Sequence, residues 1–409
     1  MPPHSRLVVA VAALLLLCVV SLLSSPTFAD ETSAATARHT GPWDMAALSV
    51  PPEATWGAKQ GLVQEVHYLG EPLAGRPTRV FGWYARPAEG DGPFPAMVLV
   101  HGGGGTAFAE WATLWAERGY VALAMDLAGH GPDGQRLPDG GPEQADEEKF
   151  RSFSDGDSAD MWTYHAVAAV VRGHSLLAAR PEVDAERIGI TGISWGGYLT
   201  CIVSGIDERL KVAVPVYGCG YLHDNSAWLP RFAAMDEEQR QRWVTYFDPS
   251  QYLPGASCPM LFVNGTNDFA YPLDSYKKSY ALPAGRVDLC VTVNMPHGHP
   301  QGWAPAEIGL YVDSVLRGGR PLATVGRLTI EEGNAVASVS ADVPTISAAL
   351  HYTTDVGAWQ ERQWQTAEAH LEAGRAWAEL PAERPLVCFL TVTDERGAVV
   401  STDHLELTE

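Results

Sequence analysis

The sequence predicts an α/β protein: a doubly wound, mostly parallel sheet followed by a small all-β, sandwich-like C-terminal domain. Three observations lead there. Continuous apolar runs such as AMVLV, YVALAM, RIGITGI, KVAVPV and PMLFV read as strands buried on both faces. Segments of helical spacing alternate with them, as β-α-β units of a parallel sheet require. After Arg320-Pro321 the helical signal stops, and short alternating runs broken by turn residues take over.

Taken in order, residues 1–29 read as a signal peptide, with Arg6 before an apolar run from Leu7 to Leu23 and Thr27-Phe28-Ala29 at the spacing of a cleavage site. An uncleaved anchor is the alternative; after cleavage no stable membrane insertion is expected. Residues 30–61 form an N-terminal segment. Residues 62–320 form the α/β domain. LVQEVHYLG and TRVFGWYARP open it as period-two strands with no helix between them, so they should pair antiparallel at one edge. AMVLVHGGGG is a buried strand running into a glycine loop, AEWATLWAERGY a helix, and Pro132 to Asp160 a long acidic insertion. A helix over Met161–Arg180 leads to the strand RIGITGIS and the helix WGGYLTCIVSG. Tyr217 to Ser257 reads as a lid before the strand PMLFVNGTND. VDLCVTVNM is the last strand and APAEIGLYVDSVLRGG the closing helix. Residues 323–409 form the β-sandwich domain, built from RLTIEEGNAVASVSAD, TISAALHYTTD, RPLVCFLTVTDERG and AVVSTDHLEL.

Composition narrows the function. With 46% hydrophobic and 19% charged residues the chain is globular. A net charge of -21 makes nucleic acid a poor partner, because the phosphate backbone would be repelled. Beyond the signal segment five cysteines remain, Cys201, Cys219, Cys258, Cys290 and Cys388, with no regular spacing. Export permits one pair, and Cys258 with Cys290, near the starts of two adjacent strands, is the candidate. No C-x-x-C or H-E-x-x-H spacing points to a metal.

The chemistry lies in four stretches at strand ends, where a doubly wound sheet places its site. GISWG puts Ser194 between a strand and a helix, with Gly192, Gly196 and Gly197 relieving the crowding of a sharp turn that presents a serine hydroxyl. A serine is a weak nucleophile and needs an imidazole base, a carboxylate to orient it and amides for the oxyanion. The amide of Trp195 is one expected oxyanion donor. Gly103 in His101-Gly102-Gly103-Gly104-Gly105 is the other, with Gly102 or Gly104 as alternatives. A phosphate loop would need a following Gly-Lys-Ser/Thr, which is absent, so no cofactor is expected. His101 is read as a support for the loop. Asp268 closes PMLFVNGTND and is the expected acid, its bland role being an Asx cap for a helix near Tyr271. PHGHP offers two histidines. His299 is preferred as base, because a loop leaving the strand at Met295 travels outward before it turns back, with Gly298 allowing the bend; His297 is left a supporting or substrate-facing place.

With HGGGG, GISWGG, NGTND and HGH in this order, the stretch from Leu62 to Arg317 resembles the α/β-hydrolase superfamily, in the branch of acetyl xylan esterases, dienelactone hydrolases and prolyl-oligopeptidase catalytic domains. The resemblance implies a catalytic triad of Ser194, Asp268 and His299, with Gly103 and Trp195 as oxyanion donors; a glycine before the histidine, here Gly298, is common in the family. A serine where dienelactone hydrolases carry cysteine argues against that activity. The function expected is an exported serine hydrolase that takes small acyl groups, acetyl first, from small-molecule or carbohydrate esters. Two alternatives stay open, a prolyl-oligopeptidase-type peptidase and a non-catalytic binding protein on the same fold. Tyr217, Tyr221 and Trp228 read as core aromatics before sugar-stacking ones, Trp359, Trp364 and Trp377 are equally divided, and nothing in the sequence sets an oligomeric state.

Overall fold

The computed structural model describes residues 38–408; the expected signal peptide lies outside the described residues. Nine strands build the central sheet: β1 (Ala54–Gln60), β2 (Val63–Leu69), β3 (Arg79–Ala85), β4 (Phe94–Val100), β5 (Val121–Met125), β6 (Val183–Ile193), β7 (Val212–Val216), β8 (Met260–Gly265) and β9 (Val287–Thr292). Their spatial order is 1-2-3-5-4-6-7-8-9. The first three and the β3–β5 pair are antiparallel, and every pair from β5 through β4 to β9 is parallel.

The apolar runs explain the parallel part. β5 and β7 are buried at every residue, β4 at all but Phe94, so each strand is covered on both faces. The opening pair is antiparallel, Val66 facing Gly82 and Tyr68 facing Val80, as the missing helix between them requires. β1 was not expected. Its sequence ATWGAKQ is mostly exposed and lacks an apolar run, and only the ladder it makes with β2 holds it as an edge strand.

The helices are α1 (Ala109–Glu117), α2 (Trp162–Ala178), α3 (Trp195–Ile206), α4 (Glu237–Phe247), α5 (Leu273–Tyr280), α6 (His299–Trp303) and α7 (Ala306–Leu316); they follow the sequence pattern except α6, which stands where a loop was expected. α3 is buried throughout, as its largely apolar sequence allows, with the hydroxyls of Thr200 and Ser204 donating to the carbonyls of Gly196 and Cys201. The chain passes from β4 outward to β5 and then crosses over β4 to reach β6, with Val100 opposite Gly192 in register. At that reversal the loop after β4 and the turn after β6 emerge side by side. The acidic insertion is anchored in the core by Phe150 and Phe153, both buried, Phe150 stacking on Trp243 with centroids 5.2 Å apart.

The C-terminal region is strand-rich and antiparallel throughout, and it joins the central sheet where Ser401 pairs with Leu289 of β9. One hairpin there, Gln365–Glu372 with Arg375–Glu379, carried no strand expectation. Its Ala- and Glu-rich sequence is poor strand material; pairing on both flanks and the Ala373-Gly374 turn, both residues at positive φ, impose the conformation.

The candidate disulfide is corrected. All five cysteines among the described residues are free thiols. In the β8–β9 ladder Met260 faces Val287 and Val263 faces Cys290, so Cys258 and Cys290 are offset by five positions, about 16 Å along the strands and beyond disulfide reach. Alkylation in denaturant without reductant is therefore expected to label Cys258 and Cys290 fully; a peptide linked through both would contradict this register.

Candidate active site

The turn at Ser194 is constrained on every side. Ser194 has φ 59° and ψ -119°, a backbone region that an L-residue occupies only when its surroundings enforce it. Its N–H donates to Val216 O of β7 at 2.8 Å, and its carbonyl accepts from Tyr198 N at 2.9 Å to start α3. Glycines make this possible. A Cβ on Gly192 would strike the Gly196 carbonyl, one on Gly196 the Val100 carbonyl, and one on Gly197 would lie 2.5 Å from Val216 O. The helix thus enters against the ends of β4 and β7, and the serine side chain is pushed out at the carboxyl end of the sheet.

Trp195 follows as the first residue of α3, so its N–H has no intrahelical acceptor. Its indole is fixed by Trp228 (centroids 4.5 Å), Tyr198 (4.9 Å), Trp162 (5.7 Å) and Phe150 (5.9 Å). The Lys149 ammonium sits 4.5 Å from the same ring, and burial lowers its pKa. Gly103 lies beside Trp195, since a Cβ there would be 3.1 Å from the indole Cδ1, and its N–H makes no hydrogen bond among the described residues. The two expected oxyanion donors are therefore neighbours with unengaged amides. His101 supports the loop as expected: Nδ1 contacts Gly102 O at 2.7 Å and Nε2 accepts from Leu127 N at 2.9 Å.

Asp268 is bonded through both carboxylate oxygens, and it does not cap the following helix, which starts at Leu273 behind Pro272. One carboxylate oxygen, Oδ1, accepts from Ala270 N (2.9 Å) and Tyr271 N (2.8 Å), which turns the chain toward α5. The other, Oδ2, meets His297 Nδ1 at 2.6 Å. A buried carboxylate needs such donors, and they fix the imidazole with Nδ1 protonated and Nε2 free to accept. Beside it, Asn267 Nδ2 donates to the carbonyls of Gln360 (3.1 Å) and Arg362 (2.7 Å), tying this loop to the C-terminal strand-rich region.

The structure thus joins Asp268 to His297, whereas the sequence reading preferred His299. The physical reason is the length of β9. It ends at Thr292, three residues before Met295, so the loop has already travelled outward when it reaches His297. His297 is held by Tyr217, stacked at 4.4 Å, and by Phe269 at 4.8 Å. Tyr217 hydroxyl donates to Pro296 O at 2.8 Å, and the next residue, Gly218, presses on the Ser194 carbonyl, where a Cβ would come within 2.5 Å. His299 points elsewhere: its Nε2 accepts from Gly102 N at 2.9 Å, and its ring packs on Phe108 at 4.8 Å.

Sequence reasoning missed Asn267, Phe269 and Phe108. Tyr217 is fully buried and Trp228 is partly buried against Trp195, whereas Phe269 is 58% exposed beside His297. Its signal was an aromatic directly after the expected acid. Among the described residues no group of three or more His, Cys, Asp or Glu side chains is placed to hold a metal ion, and no helix is long and apolar enough to cross a membrane.

A hydroxyl on a strained strand-to-helix turn, beside a glycine loop and an Asp-His pair in the order Ser, Asp, His, is the arrangement of one superfamily. Comparison decides the point, since a putative carboxymethylenebutenolidase of Methylorubrum extorquens is 30% identical over 216 residues, covering 52% of this chain and 68% of that protein. The chain belongs to the α/β-hydrolase superfamily. Within it, the acetyl xylan esterase (AXE1) family model matches residues 63–248. Acetyl esterase Axe7A of Xylanibacter ruminicola is 22% identical over 251 residues, 56% of this chain and 54% of that one, so the α/β hydrolase described here spans about half of this relative. In structure it is similar to the acetyl xylan esterase from Paenibacillus sp. R4, with a TM-score of 0.54 and 23% identity over 66% of this chain and 92% of that one.

Gly196→Ala is expected to cost about 3 kcal/mol or more of stability, because its methyl group meets a backbone carbonyl that cannot move aside. Denaturant unfolding checks this, and an unchanged midpoint would contradict the packing.

Proposed function

We propose that this α/β hydrolase is a serine carboxylesterase that releases small acyl groups, acetyl first, from alcohol esters including those of carbohydrates. The observation that carries the reading is the Asp268–His297 pair, 2.6 Å long and buried on its carboxylate side, in the same strand-end cluster as the strained Ser194 turn.

In this reading Ser194 Oγ attacks the ester carbonyl while His297 Nε2 takes its proton, and Asp268 stabilises the imidazolium formed. The developing oxyanion accepts from Gly103 N–H and Trp195 N–H. Collapse of the tetrahedral intermediate expels the alcohol, protonated by His297, and leaves an acyl-Ser194. Water, deprotonated by the same imidazole, then attacks the acyl carbon and frees the acid. Acetyl as the group transferred is supported by the acetyl xylan esterase model match over the nucleophile-bearing half of the sheet. A sugar as the alcohol is supported by Phe269, whose exposed ring beside His297 offers a face for stacking. The apolar N-terminal run followed by Thr27-Phe28-Ala29 supports a site of action outside the cytoplasm.

A panel of acetylated sugars, longer acyl esters and aminoacyl amides tests the reading. Wild type is expected to favour acetyl esters. Ser194→Ala and His297→Ala are each expected to lower kcat by about 10³-fold or more with the fold intact by circular dichroism. Ester turnover that survives Ser194→Ala, or amide turnover above ester turnover, would overturn it.

A further inference from the structure

We propose that His299 is a positioning residue of the oxyanion site: its Nε2 holds the Gly102 amide and thereby leaves the Gly103 amide facing the reacting carbonyl. The proposal rests on the esterase reading of the same site.

Gly102 is fixed at both of its polar groups by residues remote from each other in the chain. Its N–H donates to His299 Nε2 at 2.9 Å across 197 positions. Its carbonyl is contacted by His101 Nδ1 at 2.7 Å and accepts from Gly105 N at 3.1 Å, closing the turn over Gly104, which has φ 66°. With both peptide groups of Gly102 engaged, the amides of Gly103 and Gly104 make no hydrogen bond among the described residues, and of the two Gly103 is the one beside Trp195. The approach is close: a Cβ on Gly105 would lie 2.6 Å from His299 Nε2, and one on Gly102 2.8 Å from Ser194 Cβ.

The imidazole is itself clamped. Phe108, just before α1, packs on it, and Trp303 of α6 packs on Phe108 at 5.4 Å and on Trp111 at 5.3 Å. Next to Trp303 in α6, Gly302 lies against Ile193, where a Cβ would be 2.9 Å from Cγ2. One short helix therefore indexes the oxyanion loop to the residue that precedes the nucleophile.

The bond also separates the two histidines by protonation chemistry. A nitrogen lone pair that already accepts an amide N–H cannot take a serine proton, so His299 is not the base while this bond exists. Only neutral imidazole can accept. Burial holds it neutral, lowering the pKa to about 4 with the neighbouring His101 and His297 adding to the shift. Protonation would set N–H against N–H and release Gly102.

The test compares His299→Ala with His299→Gln, whose amide oxygen reaches as far as the imidazole Nε2, and with His297→Ala and His297→Gln. On an acetyl ester, His299→Ala is expected to lose about 10²-fold in kcat with KM nearly unchanged, and His299→Gln to regain most of it. Both His297 variants are expected to be inactive. The ring ¹⁵N spectrum of histidine-labelled protein should show His299 Nε2 unprotonated from pH 5 to 8, in wild type and in Ser194→Ala alike. A wild-type rate for His299→Ala, a loss confined to KM, absent rescue by glutamine, or a protonated His299 Nε2 at pH 6 would each overturn the proposal. If no ester is turned over, the esterase reading fails, and the nitrogen spectrum alone still decides whether His299 holds the loop.

Discussion

The architecture depends on how closely the β6-to-α3 turn approaches its neighbours. Gly192, Gly196 and Gly197 let the backbone of the turn touch the carbonyls of Val100 and Val216, the last residues of β4 and β7. That contact holds Ser194 at φ 59°, a conformation disfavoured in isolation and kept only because packing on both sides fixes it. From it follows the direction of α3, whose first amide points back at the sheet end, and the position of the glycine loop that leaves β4 next door.

The loops around this turn are built to hold polar groups in a dry setting. Asp268 spends one oxygen on two backbone amides and the other on His297, so its burial is compensated and its direction fixed. His101 and His299 do the same for Gly102. The C-terminal strand-rich region reaches the same neighbourhood through Asn267, which lies between the end of β8 and Asp268 and is bonded to the carbonyls of residues 360 and 362. A region that reads as an appendage in sequence is thus in hydrogen-bonded contact with the acid loop.

How much of this is legible in the sequence depends on how local the cause is. The buried parallel strands, the turn at Ser194, the glycine loop and the place of Asp268 all follow from patterns within about ten residues, and they stand where those patterns set them. The preference between His297 and His299 turned on where β9 stops, which is fixed by its partner β8 and by the strand at Ser401 rather than by its own composition. Likewise β1 and the hairpin at 365–379 exist through pairing with neighbours, against weak or contrary local propensity. The cysteine register failed for the same reason, since adjacency of strands says nothing about offset along them.

Two histidines two residues apart divide the labour at this site, His297 on Asp268 and His299 on Gly102. A crystal structure of the protein inhibited covalently at Ser194 by a phosphonate tests that most directly. The phosphonyl oxygen is expected to accept from Gly103 N and Trp195 N, with Gly102 N still on His299 Nε2 and His297 Nε2 directed at the Ser194 oxygen. A structure in which His299 has left Gly102 and points at that oxygen, with His297 turned away from Asp268, would contradict it.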